Sequence, residues 1–496
     1  MGQGFEQESS EALIARLEAC VRERDATIQE RDAALKELKA LNATLREQVS
    51  QLTLQVATLT ELAERNSRNS NLPPSSDGPG SKNRLPKKKK SKSGRTRGGQ
   101  QGHKGAYRKL VSPELVDTFV DLYPEVCLGC AKELPQEADP NALRYQVWDL
   151  IEHKLQVTEY RRHKVRCSVC GRQTLAAYER SKIPQSSFGA TLTGVVGLLT
   201  GAYHLSRRQA QSLLQSLFNV DISLGTISNM EARLCEVFSP AYEEAVLEVD
   251  EAEVKHTDAT SWVRSGVIQS LWTLASSGAT VYQIFKNGCR ETILPFFGSV
   301  SGILVRDRAP VLDFWDKTKQ QICWAHLVRK FISFSERDGP AGTIGRTLCD
   351  LSRLVFEYWH GYKIGLLTRE DLPALFHAVR RALHETLKWG VAANIKRLSG
   401  SCADLLYRED ALFTFVTHEG VEPTNNHAER EVRPFVLWRK RCSGSQSERG
   451  DRFAALCMTV VRTLRKQKKK TLDFIVKCVA AYFDGTTPPR LIEQAA

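Results

Sequence analysis

The sequence predicts a multidomain α+β chain with a long N-terminal helix, a cysteine-bearing β module, a helical region, and an α/β domain interrupted by more helices. Three observations carry that expectation. An apolar heptad runs from residue 14 to residue 59, two Cys-x-x-Cys pairs lie between residues 127 and 170, and beyond residue 253 apolar strands alternate with helical stretches. At 496 residues the chain exceeds one core, since a domain runs to roughly 150 residues. Its 42% hydrophobic and 26% charged composition excludes wholesale disorder.

The first element spans residues 10–66. Its a positions read Ile14, Val21, Ile28, Leu35, Asn42, Val49 and Val56, and its d positions Leu17, Arg24, Arg31, Leu38, Leu45, Leu52 and Leu59. Largely β-branched a residues over leucine d residues favour a parallel coiled coil, so a homodimer or higher oligomer is expected. Asn42 would fix register, and Arg24 and Arg31 weaken the N-terminal third. Residues 67–109 break every periodicity with Pro, Gly, Ser and Lys, the composition of a flexible linker. Nearly all of the net charge of +13 sits there, because residues 82–109 hold twelve Lys or Arg and no acid. Such a run attracts nucleic acid by counterion release, with Lys87, Lys88, Lys89, Lys90, Arg95 and Arg97 as candidate phosphate contacts. A solubilising linker is the plainer alternative.

Residues 110–186 carry Cys127, Cys130, Cys167 and Cys170. Four thiolates in two knuckles suit a closed tetrahedral Zn²⁺ site, a zinc ribbon, with strands expected at 145–151 and 155–165. The odd total of thirteen cysteines argues against a disulfide framework. Residues 187–250 read as helical. A helix over 205–218, a turn at 219–223 and a second helix capped by Ser223 fit a helix-turn-helix, with Arg207, Arg208, Thr226 and Asn229 available to DNA. A plain helical connector fits nearly as well.

Residues 251–338 open a different pattern. Strands are expected at 254–258, 270–275 and 280–285, then a helix at 290–297. An apolar strand at 302–307 follows, and another at 321–326 runs into a helix. That order describes the first part of a ribonuclease-H-like α/β domain. Asp258 and Asp307 sit on or just beyond apolar strands, where an unpaired carboxylate costs desolvation energy unless a cation compensates it. Two Mg²⁺ (or Mn²⁺) ions about 4 Å apart activate a nucleophilic oxygen and stabilise the leaving oxygen of a phosphodiester. Residues 339–418 recur at helical spacing and read as an insertion that covers the site, holds DNA or only packs. The domain resumes over 419–496. There a helix would place Asn425, Asn426, Glu429 and Arg433 along one side, Glu429 reaching metal while Asn426 and Arg433 approach phosphate. His326, shortly after the second Asp, suits DNA contact or capping. Arg462, Arg465, Lys466 and Lys468 to Lys470 form a basic C-terminal helix suited to phosphate or to solvent.

Several of these segments together resemble the insertion-sequence-66 family of bacterial transposases, over nearly the whole chain. They are the tract at 69–77, the paired knuckles and Cys323-Trp324-Ala325-His326. The most specific is Asn425-Asn426-His427-Ala428-Glu429-Arg430, continuing through Arg433-Pro434 to Trp438-Arg439-Lys440 and Gly444-Ser445. The resemblance implies a D-D-E triad of Asp258, Asp307 and Glu429, and metal-dependent nicking and strand transfer. It further implies terminal inverted repeats and target DNA as partners, Arg439 and Lys440 among the DNA contacts, and element-encoded accessory proteins. Ala259 after the first Asp and Arg308-Ala309 after the second depart from the family's usual residues. A transposase-derived repressor or architectural protein without activity is the second reading. The opening residues lack a signal peptide and no apolar run approaches the ~20 residues of a membrane span, so a cytoplasmic, nucleoid-associated protein is expected.

Overall fold

The computed structural model describes residues 10–63, 65–66, 68–70, 110–140, 142–148, 155–177 and 186–493. Lys87 to Lys90, Arg95 and Arg97 lie outside the described residues. In chain order, α1 (Ser10–Ala63) is followed by the hairpin β1 (Lys164–Arg166) and β2 (Gln173–Leu175), then α2 (Ala190–Gly197), α3 (Arg207–Phe218) and α4 (Leu224–Glu251). A sheet follows, made of β3 (Val254–Arg264), β4 (Val267–Ala275), β5 (Thr280–Phe285), β6 (Ile303–Arg306) and β7 (Gln320–Ile322), with α5 (Arg290–Ile293) ahead of β6. Then come α6 (Trp324–Ser335), α7 (Gly339–Lys363), α8 (Asp371–Ala392), α9 (Ser399–Tyr407) and α10 (Thr414–Thr417). The last three helices are α11 (Asn426–Cys442), α12 (Glu448–Lys466) and α13 (Thr471–Asp484). The chain divides into two compact units, one of residues 1–85, 326–354 and 388–400, the other of residues 86–325, 355–387 and 401–496.

In the first unit, α1 is a continuous helix on which the d-position leucines from Leu38 to Leu59 are exposed, Leu45 at 50% and Leu52 at 58%. The polar tract after it is tied by its own amides: Asn66 N–H donates to Asn69 Oδ1 (2.9 Å), Arg68 N–H to Asn66 Oδ1 (2.9 Å), and Asn69 Nδ2 to Glu336 (2.9 Å).

The second unit holds the sheet, in the order β5-β4-β3-β6-β7. β3, β4 and β5 are antiparallel neighbours, whereas β6 and β7 add parallel to β3. Alternation along β4 sends Leu271 to one face, with Trp262, Tyr282, Phe435 and Trp438. Trp272 and Leu274 go to the other, with Val281, Phe297 and residues of α4. β6 is buried at all four positions, as a central parallel strand covered on both faces must be. α12 contributes to both clusters, Phe453, Leu456 and Val460 to one and Ala454, Ala455 and Met458 to the other, and every residue from Phe453 to Val461 is buried. Each large side chain closed off this way contributes about 1.5–3 kcal/mol.

Several expectations change. Of the strands expected at 145–151 and 155–165, only Lys164–Arg166 forms among the described residues, paired with β2 around the second knuckle. Tyr145 at 90% and Val157 at 85% exposure have no surface to bury, so pattern alone does not make a strand there. The basic C-terminal helix divides, with Arg465, Lys468 and Lys470 exposed and Arg462 and Lys466 turned to partners inside the protein. Arg462 donates to Glu431 (2.7 Å), and Lys466 donates to the carbonyls of Ser276 (2.7 Å) and Ala279 (2.9 Å), since α12 lies across the β4–β5 turn. The helices at 205–229 form as expected, with a capping box at Ser206 and Ser223 accepting from Thr226 N–H (3.1 Å).

Candidate active site

The parallel register places the two aspartates. Val254 pairs with Ile303, Lys255 with Leu304 and His256 with Val305. β6 ends at Arg306, and the same register carried two residues on brings Asp307, just beyond β6, beside Asp258 within β3. On the other side of β6, Arg306 pairs with Ile322 and Cys323 N–H donates to the Arg306 carbonyl (2.9 Å), so Cys323 follows β7 as Asp307 follows β6. Asp307 and Cys323 thus stand just past the carboxyl ends of β6 and β7, where open α/β sheets bind ligands. Each aspartate gives one oxygen to a nearby amide: Ala259 N–H donates to Asp258 Oδ1 (2.9 Å) and Ala309 N–H to Asp307 Oδ1 (3.0 Å).

Glu429 comes from the first turn of α11, which is fixed from both sides. Asn425, the residue before the helix, donates its Nδ2 to the Thr257 carbonyl (2.7 Å), beside Asp258. Its backbone N–H donates to Cys323 Sγ (3.1 Å), and its carbonyl accepts from Glu429 N–H (3.1 Å). His427 stacks on His256 with ring centroids 4.6 Å apart. Burial and the neighbouring Lys466 charge push the His427 imidazole down to about 3, so it stays neutral and accepts from Lys466 Nζ (2.8 Å). Burial lowers Lys466 itself to about 8. On the far side, Tyr282 Oη donates to the Glu431 carbonyl (2.8 Å). Burial would raise the Glu431 carboxyl, but the Arg462 hydrogen bond and the Lys466 charge hold it below its ordinary value.

Asp307 is braced by an ion network. Arg306, fully buried, donates to Asp313 (2.9 Å), Asp313 accepts both Arg408 Nη1 and Nη2 (2.7 Å each), and Arg408 Nε donates to Asp404 (2.8 Å). Arg308 donates to the other oxygen of Asp404 (3.2 Å). The unusual residue after the second Asp therefore pairs with α9 of the helical insertion.

The remaining candidate residues divide. Glu429 brings a carboxylate oxygen within 4.8 Å of Cys323 Sγ, but among the described residues Asp258, Asp307 and Glu429 do not gather all three within that distance. Two ions about 4 Å apart are ligated from opposite sides, so carboxylates serving both need not touch. On α11, Asn425 is buried and Glu429 half-buried, whereas Asn426 and Arg433, about 60° and about 40° from Glu429 round the helix, are exposed. Arg439 donates to the Ser261 carbonyl and hydroxyl, Lys440 is exposed, and His326 belongs to the other unit. Arg207 pairs with Glu231 (2.5 Å), Thr226 Oγ1 lies 2.9 Å from Ser223 Oγ, and Arg208 and Asn229 are exposed.

The two cysteine pairs form matching knuckles. In the first, Ala131 N–H donates to the Cys127 carbonyl (2.8 Å) and Cys127 N–H to the Lys132 carbonyl (2.8 Å). In the second, Gly171 N–H donates to the Cys167 carbonyl (3.0 Å) and Cys167 N–H to the Arg172 carbonyl (2.9 Å). Backbone amides directed at sulfur, from Gly129 and Cys130 in one and Cys170 and Val169 in the other, lower the Cys127 and Cys167 thiols below their ordinary values. Thiols poised toward thiolate suit Zn²⁺. Among the described residues the four sulfurs are not drawn into one set of ligand atoms. At the carboxylate site the donors are hard oxygens on half-buried residues, which suits Mg²⁺ or Mn²⁺.

A family model described as Transposase IS66 family matches residues 186–452, and a model described as a family of unknown function, DUF6444, matches residues 21–109. No curated protein matches the chain. No helix among the described residues is long and apolar enough to cross a membrane.

Proposed function

The chain belongs to the IS66 family of transposases, DNA-processing enzymes, and from that premise we propose that it is a D-D-E transposase that cleaves and joins the terminal inverted repeats of an insertion sequence. In this reading Asp258, Asp307 and Glu429 hold two divalent cations on a ribonuclease-H-like sheet. The observation that supports it is the parallel β3–β6 register, which carried just past the end of β6 brings Asp307 beside Asp258, with the Glu429 helix tied to Thr257 through Asn425. Bound Mg²⁺ or Mn²⁺ would activate the attacking oxygen and neutralise charge on the leaving one. The protein's own part is positioning. A water oxygen attacks the phosphorus and the bond to the 3′ oxygen breaks, leaving a 3′ hydroxyl; in joining, that hydroxyl loses its proton and attacks a target phosphodiester, whose own 3′ oxygen leaves and is protonated.

The same reading gives the other modules binding roles. α1 pairs with a second copy, the four knuckle cysteines hold structural Zn²⁺, and the arm with Lys87 to Lys90, Arg95 and Arg97 tracks phosphates. Arg208, Asn229, Asn426, Arg433 and Lys440 offer exposed contacts.

Purified protein incubated with labelled terminal-repeat DNA and Mg²⁺ tests the proposal. Cleaved and joined products are expected, falling by at least about a thousandfold in Asp258→Asn, Asp307→Asn and Glu429→Gln, a loss of roughly 4 kcal/mol in transition-state stabilisation. Tight repeat binding with no metal-dependent product in the wild type would instead identify a DNA-binding repressor or architectural protein.

A further inference from the structure

We propose that Asn425 is the positioning residue of the carboxylate site: its amide sets where Glu429 stands relative to Asp258 and Asp307. The inference rests on the D-D-E reading and names a residue that reading does not use.

An asparagine just before a helix ordinarily turns its side chain onto the second or third amide of the first turn, a cap that contributes about 1 kcal/mol. Asn425 makes no such side-chain bond, although it stands at the N-cap of α11. Its side chain points the other way, into the protein, and the residue is only 1% exposed. The amide meets β3 with both ends: Nδ2 donates to the Thr257 carbonyl (2.7 Å), and Oδ1 lies 3.4 Å from His256 Nδ1. The backbone meets two further elements, donating to Cys323 Sγ (3.1 Å) and accepting from Glu429 N–H (3.1 Å). One residue thus joins three places. Thr257 adjoins Asp258 in sequence, Cys323 follows β7 as Asp307 follows β6, and Glu429 is one helical turn away.

The chemistry demands an amide. A carboxylate at 425 would face the Thr257 carbonyl with no proton to donate, and alanine would leave that buried carbonyl without its partner. Either change frees the first turn of α11 from β3, while the Glu431–Arg462 pair and the Trp438 packing still hold the body of the helix. The metal-binding geometry should loosen while the fold persists. Outer groups that orient metal ligands commonly change affinity by about 10–100-fold when removed.

The test is Mn²⁺ binding to the full-length protein, followed by electron paramagnetic resonance, together with thermal melting and repeat-DNA binding. Asn425→Ala and Asn425→Asp are expected to weaken Mn²⁺ binding by at least about tenfold while repeat binding stays at the wild-type level. If Asn425→Ala melts too early to titrate, the volume-conserving Asn425→Asp decides. Ser352→Ala, which removes a buried hydroxyl from α7, controls for general loosening. An equal loss of Mn²⁺ in that variant would mean Asn425 acts only through stability, and the inference falls. It also falls, alone, if Asp258→Asn and Glu429→Gln lose Mn²⁺ but Asn425→Ala and Asn425→Asp bind like wild type. Wild-type-like Mn²⁺ binding in Asp258→Asn and Glu429→Gln would overturn the carboxylate reading as well.

Discussion

Asn425 and His204 show how far single residues carry information beyond their neighbours in sequence. Helical spacing sets Asn425 on one side of α11 with Asn426, Glu429 and Arg433; its partner, the Thr257 carbonyl, lies 168 residues away and leaves no local trace. Asp258 and Asp307 stand out because a carboxylate on or just beyond an apolar strand is an anomaly visible in the sequence itself, and Glu429 because of the motif around it. His204 was not singled out at all. It stacks on Trp438 with centroids 4.7 Å apart, and burial, reinforced by Arg441 and Arg465, lowers its imidazole to about 4. The folded protein thus disfavours the protonated ring that the unfolded chain forms below its ordinary pKa near 6.5. The stability this represents is fully present above about pH 6.5 and is lost progressively as pH falls toward 4. Urea midpoints measured at pH 7 and pH 5 should therefore differ less in His204→Gln than in wild type. An unchanged difference would mean the ring titrates normally.

At the scale of elements, the sheet was the most legible part, because period-two alternation and buried apolar runs leave few alternatives. Its three antiparallel strands and two parallel additions fall where expected, though β3 runs on to Arg264, past the expected end at 258. The cysteine module is less legible, since strands are expected there only to fill the long stretch between the two knuckles, with no partner face to specify them. The C-terminal helix misled for the opposite reason. Arg462 and Lys466 look like a solvated basic end, yet they neutralise buried partners. Likewise Arg308, an odd residue in the motif, makes sense only beside Asp404 of α9. The Asp313–Arg408–Asp404 network ties α9 to the segment after β6 through an arginine whose side chain is 8% exposed. Arg408→Ala leaves Asp313 to Arg306 and Asp404 to Arg308 alone, and should cost about 1.5–3 kcal/mol in urea denaturation. A loss below about 1 kcal/mol, the level of a surface pair, would mean the network does not brace the insertion.

Across the whole molecule, one family model covers residues 186–452 and another, of unknown function, covers residues 21–109. The heptad of the leading helix is read from spacing alone, and on α1 the d-position leucines Leu38, Leu45, Leu52 and Leu59 are exposed. An apolar stripe of that length in water calls for a partner. Leu45→Glu with Leu52→Glu should convert a dimer or higher oligomer to monomer in sedimentation equilibrium, while leaving the Mn²⁺ affinity of each chain unchanged. A wild-type monomer at all concentrations would remove the coiled coil from the account. The claim beneath all of this is that three distant carboxylates serve the same divalent ions. Anomalous diffraction from crystals of the full chain grown with Mn²⁺ measures it directly. Peaks about 2.1–2.2 Å from oxygens of Asp258, Asp307 and Glu429 are predicted; Mn²⁺ bound elsewhere, with those three carboxylates ligating nothing, would contradict it.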